Sequence, residues 1–377
     1  MPTLFDKMYG CLAGSQVGSA LGGPVEAMTH EVIREKYGVL DRMVAYPYGD
    51  ENGPFPPGTT EDGVERQKLM ALAIMDKGGR INARDLAKSW LNYVKEDSFG
   101  RFAGQQDEIH YRLIKAGISP EDAGRHDAHV GRMGFNRACH PIGMVNACFP
   151  YDAAMDALDC AKLYQPPSGR GILWKDDSRS LYGQVFPAYS IGIDWAGAVS
   201  AGIAEAMKPQ ASRDSVVEQA TAYIVEAARD EILRAVELAA KCTDYEQLVS
   251  EFGRIYMGQG LPYAMSRAYE VTSKGLAVFW FCDGDVRETL ISAVNFGRDT
   301  DCLASVAAGL AGALVGVEGV PAEWIDQVDE ATKLNRYTVS HLTIEEMARG
   351  IYTSAKANID TMRSGLIAVD ELVEGGE

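Results

Sequence analysis

The chain has 377 residues, 46% hydrophobic and 24% charged, with a formal net charge of −17. This is the composition of a globular protein with a sizeable core. The strong acidity, with no run of basic residues, excludes non-specific nucleic-acid binding and attachment to an anionic membrane surface.

The elements read in chain order as helix after helix, with no sustained period-two alternation. Leu4 to Leu21 is an apolar, glycine-containing helix ended by Gly22-Gly23-Pro24. Asp41 to Gly58 is a proline-rich loop. Asp62 to Met75 and Ala83 to Lys95 are helical, separated by Gly78-Gly79. Ser98 to Gly134 is polar and shows no period. Ala153 to Tyr164 is a helix, and Gln165 to Gly183 reads as an exposed loop. Asp194 to Met207, Ser215 to Cys242, Asp244 to Gly258, Leu261 to Phe281 and Asp285 to Phe296 are further helices. Thr300 to Val317 is apolar on every side, with Gly309, Gly312 and Gly316 allowing close neighbours, so it belongs at the centre of a helical bundle. Pro321 opens another helix. Ile344 to Ser364 is the last, followed by a frayed acidic tail over about 365–377. No linker divides the chain, and the expectation is one large all-α domain spanning 1–377.

The seven cysteines show no CxxC pair, as expected of free thiols in a reducing compartment. No signal-like segment opens the chain, and the longest apolar run is too short to span a bilayer comfortably. The expected location is cytoplasmic.

Two oxygen-rich clusters, Gly58-Thr59-Thr60-Glu61-Asp62-Gly63 and Gly297-Arg298-Asp299-Thr300-Asp301-Cys302, each precede a helix. Taken singly, each has the chemistry of an ordinary helix start, since free N–H groups and the helix dipole favour oxygen and negative charge. Taken together, they match the hard oxygen donors that suit Mg²⁺ or Mn²⁺. The second cluster caps a buried helix, where desolvated carboxylates need a compensating cation. Glu26, just after the turn that closes the first helix, reads by itself as a surface acid.

These residues resemble the ADP-ribosylglycohydrolases, which include the dinitrogenase reductase-activating glycohydrolases. The likeness rests on the glycine-rich first helix leading into Gly22-Gly23-Pro24-Val25-Glu26, and on Thr60-Glu61-Asp62. It rests also on Arg137-Ala138-Cys139-His140-Pro141-Ile142-Gly143, with one extra residue before the proline, and on Gly297 to Cys302 with its Ala/Gly-rich helix. The resemblance implies an all-α fold and a centre of two Mg²⁺ or Mn²⁺ ions. It implies that Thr60, Glu61, Asp62, Asp299, Asp301 and Cys302 hold the metal, and that Glu26 or Asp62 is the catalytic base. It further implies that Glu26, Asn136, Arg137, Pro141, Ile142, Gly143 and Arg298 border the substrate. Three residues depart from the family pattern: Glu61 stands for an aspartate, Gly63 for a hydroxyl residue and Cys302 for a threonine. These departures bear on the second ion.

The function so implied is metal-dependent hydrolysis of an N- or O-glycosidic bond to ribose in a small ribosyl or ADP-ribosyl substrate. A nucleoside N-glycoside hydrolase and a non-enzymatic, crystallin-like member of the fold are the alternatives.

Overall fold

A computed structural model describes residues 1–47, 49–50, 53–100, 104–127, 131–132, 134–166, 169–170, 189–190, 192–256 and 266–374. Among these the chain is all-α, with two antiparallel strand pairs of two residues each, 49–50 with 53–54 and 169–170 with 189–190. The helices are α1 (Leu4–Gly22), α2 (His30–Tyr37), α3 (Asp62–Lys77), α4 (Ala83–Tyr93), α5 (Gln105–Lys115), α6 (Pro120–Ala123), α7 (His140–Val145) and α8 (Pro150–Ala161). They continue as α9 (Asp194–Ala206), α10 (Arg213–Ala222), α11 (Glu226–Lys241), α12 (Tyr245–Tyr256), α13 (Ala268–Phe281), α14 (Val286–Asn295), α15 (Thr300–Val315), α16 (Ala322–Leu334) and α17 (Ile344–Glu374).

The core is organised about α1 and α15, which run antiparallel and touch backbone to backbone. A Cβ added at Gly10, Gly14, Gly18 or Gly22 would meet the main chain at Gly312, Ala308, Ala304 and Asp301, in that order. The four glycines stand one helical turn apart, so they form one stripe on one face of α1. Nearly all of α15 is buried, as its uniformly apolar sequence requires. Around this pair pack α14, α13, α9, α17 and α16. A buried polar chain stitches the centre. Ser15 and Ser305 share a hydrogen bond of 2.7 Å, the Gln67 amide donates to Ser15, and the Gln16 amide donates to Gln67.

Several elements differ from the sequence reading. The stretch expected as one helix over 215–242 is two, α10 and α11. The break falls where the Val225 N–H donates 2.9 Å to the buried Asp194 carboxylate instead of continuing the helical ladder. Ser98 to Gly134, which shows no period, holds α5 and α6. The expected frayed tail is helical to Glu374. The start of the helix expected at Leu261, and most of the loop over Gln165 to Gly183, lie outside the described residues. Among the described residues no helix is long and apolar enough to cross a membrane.

Candidate active site

The α1–α15 contact decides where the acids lie. Because the helices are antiparallel, the end of α1 meets the beginning of α15. Thr300 Oγ1 donates to the Gly22 carbonyl at 2.8 Å. Just beyond, the turn bearing Glu26 is clamped to the turn bearing Arg298. Ala27 N–H donates to the Arg298 carbonyl at 2.8 Å, and Arg298 N–H to the Met28 carbonyl at 2.7 Å. Ala27 and Arg298 both carry positive φ, 68° and 71°. Such left-handed non-glycine residues cost of order 1 kcal/mol or more and persist where the surroundings over-determine them. The third strand of the site comes from the start of α3, whose Glu61 N–H reaches the Ser19 hydroxyl of α1.

The two helix starts are not capped by the acids that precede them. Glu61 and Asp299 occupy the N-cap positions of α3 and α15, yet neither side chain makes a capping hydrogen bond. Each carboxylate lies beside Asp301 instead. Oxygens of Glu26, Glu61 and Asp301 lie within 4.8 Å of one another, and so do ligand atoms of Asp299, Asp301 and Cys302. Both oxygens of Asp299 and Oδ1 of Asp301 are buried with no hydrogen-bond partner. Orphaned carboxylate oxygens in the interior are what a bound cation satisfies, so these residues fit a metal.

A cleft of about 250 Å³ opens onto this cluster. Glu26, Glu61, Asp62, Asp301 and Cys302 line it with Arg66, Arg132 and Arg137; Gln106, Gly134 and Ser266 complete the wall. Arg137 is at the centre. Its guanidinium donates to Asp62 Oδ1 and to Asp301 Oδ2, and it lies 3.6 Å from Glu61 Oε2. Arg66, one turn after Asp62 on α3, donates to Asp62 Oδ2 at 2.6 Å and forks onto Asp107 at 2.7 Å. Tyr46 donates its hydroxyl to Glu61.

The electrostatics follow from burial against these cations. Burial, then the charge of Asp301, pushes the Glu26 carboxyl up to about 8. The same two causes raise Glu61 and Asp299 well above the usual carboxylate range. Burial pushes Asp62 up too, but Arg66 and Arg137 together outweigh it and hold the carboxyl low. At Asp301 the Arg137 charge likewise works against burial, and the carboxyl is held low. Burial raises the Cys302 thiol well above its ordinary value.

Of the expected site residues, the fold thus gathers Glu26, Glu61, Asp62, Asp299, Asp301, Cys302 and Arg137. Thr60 is buried immediately before Glu61. Others lie elsewhere. Asn136 is buried and donates to Thr272 of α13. Pro141, Ile142 and Gly143 belong to α7 and are buried in the core, Gly143 against Ile203 and the Ser200 carbonyl of α9. Helix formation at His140 turns this segment inward, and of its residues Arg137 lines the cleft. The Arg298 guanidinium forks onto Glu270 at 2.7 and 2.9 Å and lines a different cavity. Arg66, Arg132, Gln106, Ser266 and Tyr46 were not singled out from the sequence. Arg66 alone had a local signal, its spacing of one helical turn from Asp62.

Comparison with known proteins bears on the family and the fold. The ADP-ribosylglycohydrolase family model matches residues 1–174 and 181–359. An uncharacterized protein of Archaeoglobus fulgidus is 25% identical over 327 residues, covering 85% of this chain and 91% of that protein. The ADP-ribosyl-dinitrogen reductase glycohydrolase of Rhodospirillum rubrum is 22% identical over 334 residues, covering 87% and 92%. A solved structure named as an ADP-ribosylglycohydrolase-related protein complex superposes with a TM-score of 0.61 at 17% identity, covering 94% of this chain and all of that one.

Proposed function

The chain belongs to the ADP-ribosylglycohydrolase family and is a glycohydrolase, and we propose that it cleaves the glycosidic bond to ribose in a small ADP-ribosyl substrate with the help of a divalent cation. The observation that carries this reading is the cleft in which Glu26, Glu61, Asp62 and Asp301 converge from the two ends of the sequence. Asp299, Asp301 and Cys302 would hold the ion, since three of their carboxylate oxygens have no other partner. When bound, Mg²⁺ or Mn²⁺ supplies Lewis acidity and a hard contact for the vicinal hydroxyls of the ribose. The thiol in the set favours the softer of the two, Mn²⁺.

Glycosidic cleavage builds positive charge at the anomeric carbon. The carboxylates lining the cleft would stabilise that charge. The base is chosen by what already holds each acid. Both oxygens of Asp62 are engaged by guanidinium groups, which keep its affinity for a proton low. The Glu26 side chain is held by no hydrogen bond or ion pair among the described residues, and Glu26 lines the cleft. Glu26 is therefore the group that takes a proton from the attacking water. Arg132, also on the cleft wall, is the cation placed to meet a phosphate of the substrate.

The test is release of free ADP-ribose. The protein is incubated with Mn²⁺ and ADP-ribosylated arginine and serine peptides, with nucleosides in parallel. Release from an ADP-ribosyl substrate that stops on chelation and resumes on adding Mn²⁺ is the expected result. Cleavage of nucleosides alone would replace the ADP-ribosyl reading with the nucleosidase one. Release that is indifferent to chelation would remove the cation from the reading.

A further inference from the structure

We propose that the Arg137 guanidinium is a resident cation of the acidic centre, standing where the second of two expected ions would stand, so that the centre takes one divalent ion on its Asp299 side. The inference rests on the reading of the cluster as a cation centre given above.

The argument begins with how the carboxylate oxygens divide. On one side, Asp62 Oδ1 and Asp301 Oδ2 accept hydrogen bonds from Arg137, and Glu61 Oε2 lies 3.6 Å from the same guanidinium. These acids come from both ends of the sequence, so a single planar group bridges them as a shared ion would. On the other side, both oxygens of Asp299 and Oδ1 of Asp301 are buried with no partner. Asp299 is 3% exposed and Asp301 fully buried. One half of the cluster is therefore already paired with a protein cation, and the other half is not.

Arg137 is built into this position. Its side chain is 4% exposed. The space it fills exists because residue 63, in the first turn of α3, has no side chain: a Cβ at Gly63 would overlap the Nε, Cζ and Cδ atoms of Arg137. Glycine inside a first turn costs helix stability, and here the missing side chain is what admits the guanidinium. A guanidinium keeps its charge at all relevant pH and donates in a fixed fork that matches carboxylates. It cannot coordinate water or a diol as a metal does, and it repels a second dication brought to the same acids. Binding chemistry toward the ribose is then left to the one ion, while Arg137 fixes the positions of Asp62, Glu61 and Asp301.

The experiment is a metal count. The parent, Arg137→Met, Gly63→Ser and Asp299→Asn are dialysed against excess Mn²⁺ alone, and bound metal is measured by atomic emission. Mn²⁺ electron paramagnetic resonance then distinguishes isolated from coupled ions. The parent is expected to bind one ion per chain with the spectrum of an isolated centre. Arg137→Met is expected to bind two, with a spin-coupled spectrum, and Asp299→Asn to lose the ion of the parent. Gly63→Ser, which displaces the guanidinium without deleting it, should also gain a second ion, and it serves if the methionine variant does not fold. Two ions in the parent would overturn this inference and leave the proposed function standing. One ion in the parent and still one in both Arg137→Met and Gly63→Ser would overturn it as well. No ion in the parent would overturn the cation centre itself, and with it the metal step of the proposed function.

Discussion

Thr300 at the start of α15 donates its hydroxyl to the carbonyl of Gly22 at the end of α1, over 2.8 Å. This bond joins residues from the two ends of the chain, and it lies between the turn that carries Glu26 and the helix start that carries Asp299 and Asp301. The glycine stripe of α1 brings the two helices close enough for it to form.

Stability should therefore depend steeply on that stripe. Gly18→Val places two methyl groups against the Ala304 carbonyl, where the backbone cannot yield. We expect a loss of about 3 kcal/mol or more, read as a lower urea midpoint at unchanged m-value. A loss under about 0.5 kcal/mol, the range of neutral surface changes, would show that the α1–α15 contact is loose.

Asp299 should behave as a metal-demanding group. Saturating Mn²⁺ at about 100 times its dissociation constant would raise parent stability by about 2.7 kcal/mol, and chelation would remove the gain. In Asp299→Asn the gain should vanish, while the metal-free variant is at least as stable as the metal-free parent, because a buried unpaired carboxylate has been removed. A metal-free variant less stable than the metal-free parent would mean that Asp299 has a protein partner.

Glu26→Gln should lower kcat by about 10²- to 10⁴-fold, the usual worth of a positioned base, with little change in KM and an unchanged Mn²⁺ count. The comparison to make is steady-state kinetics on whichever substrate the release assay finds. A kcat within a few-fold of the parent would move the proton transfer to another group.

His140 supplies a pH dependence outside the cleft. It is fully buried, its ring meets the Gln67 amide and the Ser305 carbonyl, and burial lowers its pKa to about 4. The unfolded chain protonates it near pH 6.5, so the unfolded state binds the extra proton first. Stability from the neutral ring is full above pH 6.5 and is lost as pH falls toward 4. Within that window the loss has a slope of up to about 1.4 kcal/mol per pH unit. Denaturation series from pH 7 to 4.5 should show this slope in the parent and a shallower one in His140→Gln.

Arg298 should prove structural. Its guanidinium is held by Glu270, which is 1% exposed and also bound by Lys274 at 2.7 Å. Arg298→Ala leaves Glu270 with one cation instead of two, and removing a partner of a buried ion pair costs about 3 kcal/mol when nothing replaces it. With Lys274 remaining, a smaller loss of stability is expected. A raised KM at unchanged stability would instead return Arg298 to the substrate.

The sequence by itself determined the helical class, the buried character of α15 and the identity of the acids. Each of these is written in local pattern: period, composition, and a carboxylate placed before an apolar helix. It also contained the glycine spacing that packs α1 on α15. What it did not determine is which neighbours share a space. Arg137 reads in sequence as one residue of a substrate wall, and only the packing of α7 into the core sends Asn136, Pro141, Ile142 and Gly143 inward while Arg137 alone reaches the acids. Gly63 reads as a departure from a motif, and only the fold shows that a guanidinium from a distant segment occupies the volume its side chain would fill. The reason is physical. Helical periodicity is a property of neighbouring residues, whereas the neutralisation of a buried carboxylate depends on whichever cation the tertiary packing brings within reach.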